Sequence, residues 1–558
     1  MKISVNKWFA SGSPWIFLNA AAVAISVIMV AGLLILIAVR GLGHFWPADI
    51  IEAEHIGKTQ TTRVIGEIAD HREVSTDQLR DAGYSFPAEQ ETASRLLLKV
   101  GNRDVGGADF RWVLERELRN SRYPETLFAA ERTEWGNFYG YLKEVKEGET
   151  TVASLTSANH QDLWNALQER IARARQLHEQ IYEIEKHEIG TINHGLERLR
   201  LKSRSLELKG ELTAAHQAEL AADRAVFDQQ YKGLQARLSE LYRAFERDSM
   251  IAEAMDGSLV EVKISKVVRA YLPNSMNVVD KIGFYCAKLW EFVSDEPREA
   301  NTEGGVFPAI FGTVMMVLLM SVLVTPFGVI AAVYLREYAK QGLVTRIIRI
   351  AVNNLAGVPS IVYGVFGLGF FIYFLGGNID QLFFPEALPA PTFGTPGLLW
   401  ASLTLALLTV PVVIVATEEG LSRIPRSLRE GSLALGATKA ETLWRVVLPM
   451  SSPAIMTGVI LAVARAAGEV APLMLVGVVK LAPSLPLDGN YPFLHLDQKF
   501  MHLGFHIYDV GFQSPNVEAA RPLVYATALL LVAVIALLNF LAVTIRNRLR
   551  EKYKALEN

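Results

Sequence analysis

Six apolar runs, short loops between most of them, and basic charge on alternate loops predict an all-α integral membrane protein with six transmembrane helices. A long polar insert, residues 44–303, separates the first run from the second and predicts a mainly helical α+β domain outside the membrane. Composition agrees: of 558 residues 51% are hydrophobic and 20% charged, an average over two unlike parts. The net charge of −3 argues against nucleic acid as a partner.

Residues 15–39 carry no charge and are long enough to cross ~30 Å of hydrocarbon. The run exceeds a signal-peptide core, and no small-x-small cleavage site follows it, so residues 1–43 read as a cytoplasmic N-terminus and signal anchor. Lys2 and Lys7 precede it and favour that orientation.

Within the insert, residues 63–68 and 96–100 read as strands and 110–118 as helix. Leu167, Ile171, Ala174, Leu177, Ile181 and Ile184 recur at helical spacing, as do Phe227, Tyr231, Leu234, Leu238, Leu241 and Phe245. An antiparallel helical hairpin follows, with Gly190, Gly195 or Gly210 as its turn. Residues 259–268 alternate like a strand. The single cysteine, Cys286, forms no intramolecular disulfide and reads as a small buried apolar residue.

The remaining spans fall near residues 307–335, 347–375, 398–417, 453–475 and 523–545, within a core of residues 304–545. Pro326, Pro359 and Pro411 are tolerated where neighbouring helices cover the freed backbone groups. Gly364, Gly367 and Gly369 suit close helix packing better than a nucleotide loop, since no strand precedes them. Basic residues collect after the second run (Arg336, Lys340, Arg346, Arg349), in residues 418–449 (Arg423, Arg426, Arg429, Lys439, Arg445) and in a basic tail, residues 546–558. The loop 376–396 has neither Lys nor Arg. By the positive-inside rule both termini are cytoplasmic and residues 44–303 are periplasmic, in a multi-pass protein of a bacterial inner membrane.

No catalytic constellation is visible. The eleven histidines make no His-Glu-x-x-His or paired metal spacing, and no cofactor is implied. Gly431-Ser-Leu-Ala-Leu-Gly436 has the glycine spacing of a phosphate loop, but Ala437-Thr438 stands where Lys-Ser or Lys-Thr is required. If ATP drives this chain, another subunit hydrolyses it.

Two features ask for a role. The first is the polar stretch 418–449 between two spans. Pro425 suits the first position of a helix, Gly436 a left-handed stop, and Thr438 with Glu441 a second capping box. The result is helix, glycine turn, helix: a compact docking knob. The second is Arg465 with Glu469, four apart on one helical face amid Ala464, Ala466, Ala467 and Gly468. A charge at bilayer depth is expensive and seldom faces lipid. Either the two form a structural ion pair that pins the span, or they line a solute path in which Arg465 offers positive charge to an anion. Arg465 is expected a few turns from the knob, at the start of the following span.

Glu430-Gly431-Ser432-x3-Gly436-x9-Val446-x-Leu448-Pro449 resembles the EAA signature of ABC-importer membrane subunits, Glu-Ala-Ala-x3-Gly-x9-Ile-x-Leu-Pro. Gly431 and Ser432 depart from Ala-Ala, and Val446 from Ile. The resemblance implies that the knob is a coupling helix docking on an ATPase, with Glu430, Gly436, Leu443, Trp444, Val447, Leu448 and Pro449 making or supporting the contact. Residues 355–364 (Leu-Ala-Gly-Val-Pro-Ser-Ile-Val-Tyr-Gly), 434–439 (Ala-Leu-Gly-Ala-Thr-Lys) and 464–469 (Ala-Arg-Ala-Ala-Gly-Glu) further resemble the PstA family of phosphate permeases. That resemblance implies the type I ABC-importer, MetI-like core and phosphate transport. Its implied partners are a second permease subunit (PstC), a dimer of the ATPase PstB, the periplasmic phosphate-binding protein PstS, inorganic phosphate and the lipid bilayer. Rival readings are a permease for another oxyanion such as molybdate or sulfate, an ATP-independent channel or secondary transporter, and a membrane sensor.

Overall fold

The computed structural model describes residues 11–57, 61–87, 89–157, 159–298, 301–514 and 517–554; Lys2, Lys7 and the last residues of the basic tail lie outside them. Among the described residues six helices are long and apolar enough to cross a membrane: Pro14–Gly43, Phe307–Tyr338, Ser360–Phe383, Leu398–Arg423, Lys439–Gly468 and Ala520–Lys552, here spans one to six. Helical hydrogen bonding satisfies most of their backbone groups, as hydrocarbon demands, with prolines inside at Pro326, Pro411, Pro453 and Pro522.

Span four is the hub. Its Leu405, Leu408 and Val413 are buried among Met316, Met320 and Val324 of span two and Val459, Ala462 and Val463 of span five. Small residues set the close approaches: a Cβ on Gly458 would come within 2.8 Å of Ala416. One on Gly364 of span three would come within 2.7 Å of the Pro472 backbone, so this glycine serves packing, as expected. Span one lies outside this cluster. Its side chains are largely exposed, and it packs on span six along a seam where a Cβ on Gly41 would meet the Ala526 backbone at 2.8 Å.

Two boundaries differ from the sequence expectation. The run 347–375 is not one span: helix Leu343–Leu355 ends before Pro359, and span three begins at Ser360. Proline disfavours helical backbone at the residue before it, and Arg346 and Arg349 leave that first helix amphipathic. Span five is also displaced, from 453–475 to Lys439–Gly468. Its N-terminal turns are the second helix of the polar knob, so knob and span are one continuous rod.

The insert combines long helices with more strand than the sequence predicts. Among the described residues its body is two antiparallel sheets of five and six strands. The first has the order Phe110–Leu114, Thr92–Lys99, Thr61–Ser75, Ile50–Ile56, Leu118–Arg122. The second runs Leu259–Lys263, Asp248–Glu253, Phe138–Glu147, Leu127–Arg132, Val267–Tyr271, with Thr150–Ser154 also on Phe138–Glu147. Residues 110–118, expected helical, run from one strand through a short turn into the start of another, because pairing with Thr92–Lys99 and with Ile50–Ile56 overrides their helical propensity. Residues 259–268 are likewise two strands broken by a 3₁₀ turn at Ile264–Lys266.

The helical hairpin is present. His160–Tyr182, a π turn and Ile189–Lys209 run as one arm, Gly210 turns at φ 71°, and Ala214–Phe245 returns. Leu163, Leu167 and Ile171 pack on the second sheet, and the hairpin reaches across the loops of the membrane core. There Lys186 donates to the Pro483 carbonyl at 2.9 Å, and the His194 and His495 rings meet edge to face. The helix Val278–Ser294, opened by an Asn277–Asp280 capping box, then leads to span two. Cys286 on this helix is exposed rather than buried, because the helix turns its other face to the domain.

Arg63 ties the two sheets together, donating to Glu52 at 2.6 Å in the first and Glu253 at 2.7 Å in the second. Glu52 also accepts from Arg122 at 2.9 Å and Tyr141 at 2.6 Å. Burial alone raises the Glu52 pKa, but hydrogen bonds from Arg122, Tyr141 and Arg63 outweigh it and hold the carboxyl below its ordinary value. Burial and the bond to Glu52 push Tyr141 up to about 12. The ionised carboxylate therefore stabilises the domain above the ordinary carboxylate range, and acidification through the lowered value removes that contribution. Glu52→Gln is expected to cost about 2–3 kcal/mol, below the loss for a fully buried pair because Arg122 is largely exposed. Hydrogen exchange on the full-length protein in detergent checks this: strand Ile50–Ile56 should lose protection in the variant, and unchanged protection contradicts the assignment.

Candidate functional site

The knob begins where span four ends at Arg423. Pro425 stands just before helix Arg426–Ala434, as its cap rather than its first residue. Gly436 stops the helix at φ 87°, a left-handed conformation that side chains other than glycine adopt at a cost of ~1–2 kcal/mol. Thr438 and Glu441 form the expected capping box, with Thr438 N donating to Glu441 at 2.9 Å and Glu441 N to the Thr438 hydroxyl at 3.2 Å. The helix then continues through a π turn, Leu443–Val447, into span five.

Arg429 fixes the knob to the core. Its guanidinium donates to the Leu421 carbonyl at 2.8 Å, the Ile424 carbonyl at 3.1 Å and the Glu337 carboxylate at 3.0 Å. The first two are carbonyls at the end of span four, and Glu337 ends span two. Lys439 adds a second tie: its amine donates to the Glu337 carbonyl and sits 4.5 Å from the centre of the Tyr338 ring. Arg349 and Glu418 pair at 3.2 Å, joining the helix before span three to span four.

The outer surface of the knob is apolar at its tip. Leu435 is 91% exposed, Trp444 74% and Leu433 47%. Glu430 and Gly436 share that exposed surface, while Leu448 and Pro449 are half-buried where the knob enters span five. Leu443 and Val447 are buried instead, packed with Ala332, Leu335, Ile414, Leu421 and Ile424. They support the knob from beneath and present nothing to a partner. Leu433 and Leu435 were not singled out from the sequence. The signal was present: apolar residues beside a glycine stop, which the capping geometry forces outward.

Arg465 and Glu469 come together, with Nε and Oε1 3.6 Å apart. They do not share a helix, since span five ends at Gly468 and Glu469 is extended, with ψ 134°. Arg465 also lies at the far end of the span from the knob, not at its start. Twenty-six residues separate it from Lys439, roughly 40 Å at ~1.5 Å per residue. Beyond the pair a turn leads to the short helix Leu473–Val476, where the Val476 carbonyl accepts from Gly397 N at the head of span four. Ala466 and Ala467 are buried, but the Arg465 side chain is 32% exposed and a Cβ on Gly468 would meet nothing within 4 Å. The pair thus borders open space on one side and close packing on the other. Tyr363 of span three donates to the Leu355 carbonyl at 2.6 Å. Among the described residues no group of three or more His, Cys, Asp or Glu is placed to hold a metal ion.

Residues 324–551, which contain both the knob and the ion pair, match the family described as binding-protein-dependent transport system inner membrane component. With its six apolar helices the chain is a multi-pass inner-membrane protein. It is 37% identical over 246 residues to phosphate transport system permease protein PstA 1 of Mycobacterium tuberculosis, covering 44% of this chain and 71% of that protein. It is 36% identical over 225 residues to phosphate transport system permease protein PstA of Mycobacterium leprae, covering 40% and 68%. Among solved structures, an inward-facing MetNI methionine ABC transporter is similar over 43% of this chain and 94% of that one, at 19% identity and a TM-score of 0.32, too low to carry an argument. The sequence relatives suffice: the chain belongs to the PstA family of phosphate transport system permeases.

Proposed function

We propose that this chain is the membrane-spanning permease subunit of an ATP-driven phosphate importer, forming its translocation path and taking motion from a separate ATPase through the 418–449 knob. The observation that carries the coupling role is the Arg429 clamp, which ties an exposed apolar tip to the ends of spans two and four. A partner that grips Leu435 and Trp444 moves those spans with the knob. Basic charge around the knob and after span two supports a cytoplasmic position for this side and both termini, and a periplasmic one for residues 44–303. The partners that fit are a PstB-type ATPase dimer on the knob, a PstC-type second permease beside the core, and a PstS-type phosphate-binding protein on the periplasmic face.

Span five carries the stroke to the solute. It is one rod from the knob at Lys439 to Gly468, so displacement at its cytoplasmic end reaches Arg465 at the other. There the partly exposed guanidinium offers planar charge-assisted hydrogen bonds to a tetrahedral oxyanion, and Glu469 holds it in place between passages. At 3.6 Å the pair is looser than a tight ion pair, which leaves Arg465 donors available to an anion.

Arg465→Gln should lower uptake of labelled phosphate about 10–100-fold, the equivalent of the ~1.5–3 kcal/mol carried by a hydrogen bond to a charged group. Unlabelled sulfate and molybdate should compete poorly in the unaltered transporter. Wild-type uptake by an assembled Arg465→Gln complex removes Arg465 from the path.

Gly436→Asp, Leu435→Asp and Glu430→Ala should each reduce copurification of the ATPase while membrane insertion stays intact. Equal ATPase recovery from all three places the docking surface elsewhere. Arg429→Ala should behave differently, retaining the ATPase but losing most uptake, because the knob no longer drags spans two and four. Uptake that falls only in proportion to lost ATPase argues against a transmitting role for the clamp.

A further inference from the structure

The helix Val278–Ser294 has its polarity inverted for a soluble domain. Asp280 caps its first turn, and its other charged side chains turn toward the rest of the domain. Lys281 pairs with Asp49 at 2.6 Å, Lys288 with Glu131 at 2.6 Å, and Glu291 with Arg269 at 3.0 Å and Arg298 at 2.5 Å. The opposite stripe is Val279, Ile282, Gly283, Cys286, Ala287 and Trp290, at helical spacing and without a charge. All six are exposed, Val279 by 76% and Trp290 by 72%. An aqueous setting would select the reverse arrangement.

The helix sits where two membrane spans emerge. Span one ends at Gly43; the next residues but one, Phe45 and Trp46, place their rings 5.0 Å from Phe292 and 5.9 Å from Tyr285. Span two begins at Phe307, whose N–H donates to the Asp295 carbonyl at 3.2 Å, while Val306 N donates to Phe292 at 2.8 Å. Both spans thus leave the hydrocarbon beside this helix. Trp46 and Trp290 are both exposed, the aromatic type that collects at the boundary between acyl chains and headgroups. We infer that Val278–Ser294 is an interfacial helix, its Val279–Ile282–Cys286–Trp290 stripe seated in the acyl–headgroup boundary of the bilayer and its charged face supporting the sheet domain above. The occupant is lipid, because the stripe adjoins the apolar surfaces of spans one and two and lacks the charged or hydrogen-bonding groups that a protein rim supplies.

Cys286 is the only cysteine in the chain and lies in the middle of the stripe, so the native sequence carries its own probe site. A nitroxide on Cys286 of the full-length protein, in vesicles of phosphatidylethanolamine and phosphatidylglycerol, reports collisions with oxygen and with a water-soluble nickel chelate. Oxygen collisions are expected to exceed nickel collisions several-fold, with the order reversed for a label on Gln217→Cys in a Cys286→Ser background. A nickel-dominated signal at Cys286 overturns the proposal. So does a label that is water-accessible alone but closed to both reagents once the second permease is co-reconstituted, since the stripe would then belong to a protein interface.

Discussion

The arrangement of the knob and the core depends on one guanidinium. The last carbonyls of any helix have no partner within it, and those of span four point toward the knob. Arg429 takes two of them, from Leu421 and Ile424, and adds the Glu337 carboxylate at the end of span two. A planar group with five donors can serve three acceptors in fixed directions, whereas an ammonium of the same charge lacks that shape. Three elements that also pack on one another thereby acquire a common hydrogen-bonded corner. Beneath it, Leu443 and Val447 fill the space between the knob and spans two and four, so the corner is packed as well as bonded.

Span five then converts a local corner into a distant effect. A helix is stiff along its axis, and this one runs unbroken from the Thr438 cap to Gly468 apart from its π turn. Such a turn holds one extra residue within a helix and is often found at functional positions. It carries Trp444 of the docking surface and leads into the span, where a change in helical register would advance or retract everything beyond. At the other end the rod stops short of Glu469, and an open-sided arginine stands beside small residues.

The membrane core was legible because an apolar run of the right length has few other uses. The Gly436 stop and the Thr438–Glu441 box were legible because capping is local: the residues that decide it lie within four positions of one another. Failures came where the deciding partner is remote. Phe110 to Leu118 has helical composition, and pairing with Thr92–Lys99 at one end and Ile50–Ile56 at the other makes strands of its two ends. Leu443 and Trp444 are neighbours of similar hydrophobicity, yet one is buried and the other exposed, a choice made by Leu335 and Leu421. Arg465 and Glu469 were correctly brought together, but the spacing that suggested a shared helix hid the break at Gly468. Cys286 was misjudged because residue type suggests burial, whereas the helix that carries it turns its apolar side outward.

Span one packs on span six along the Gly41 seam and is otherwise bare, while span two runs against the buried hub. The sheet domain thus has two chain connections of unequal strength to the spans, besides the hairpin's contacts with the core loops at Pro483 and His495. A sideways load on it is weakly opposed at the first connection and is borne at the second by the helix Val278–Ser294, whose backbone is bonded to the head of span two. Of the two connections, the one through span two and this helix is the stiffer, and span one is the slacker tether.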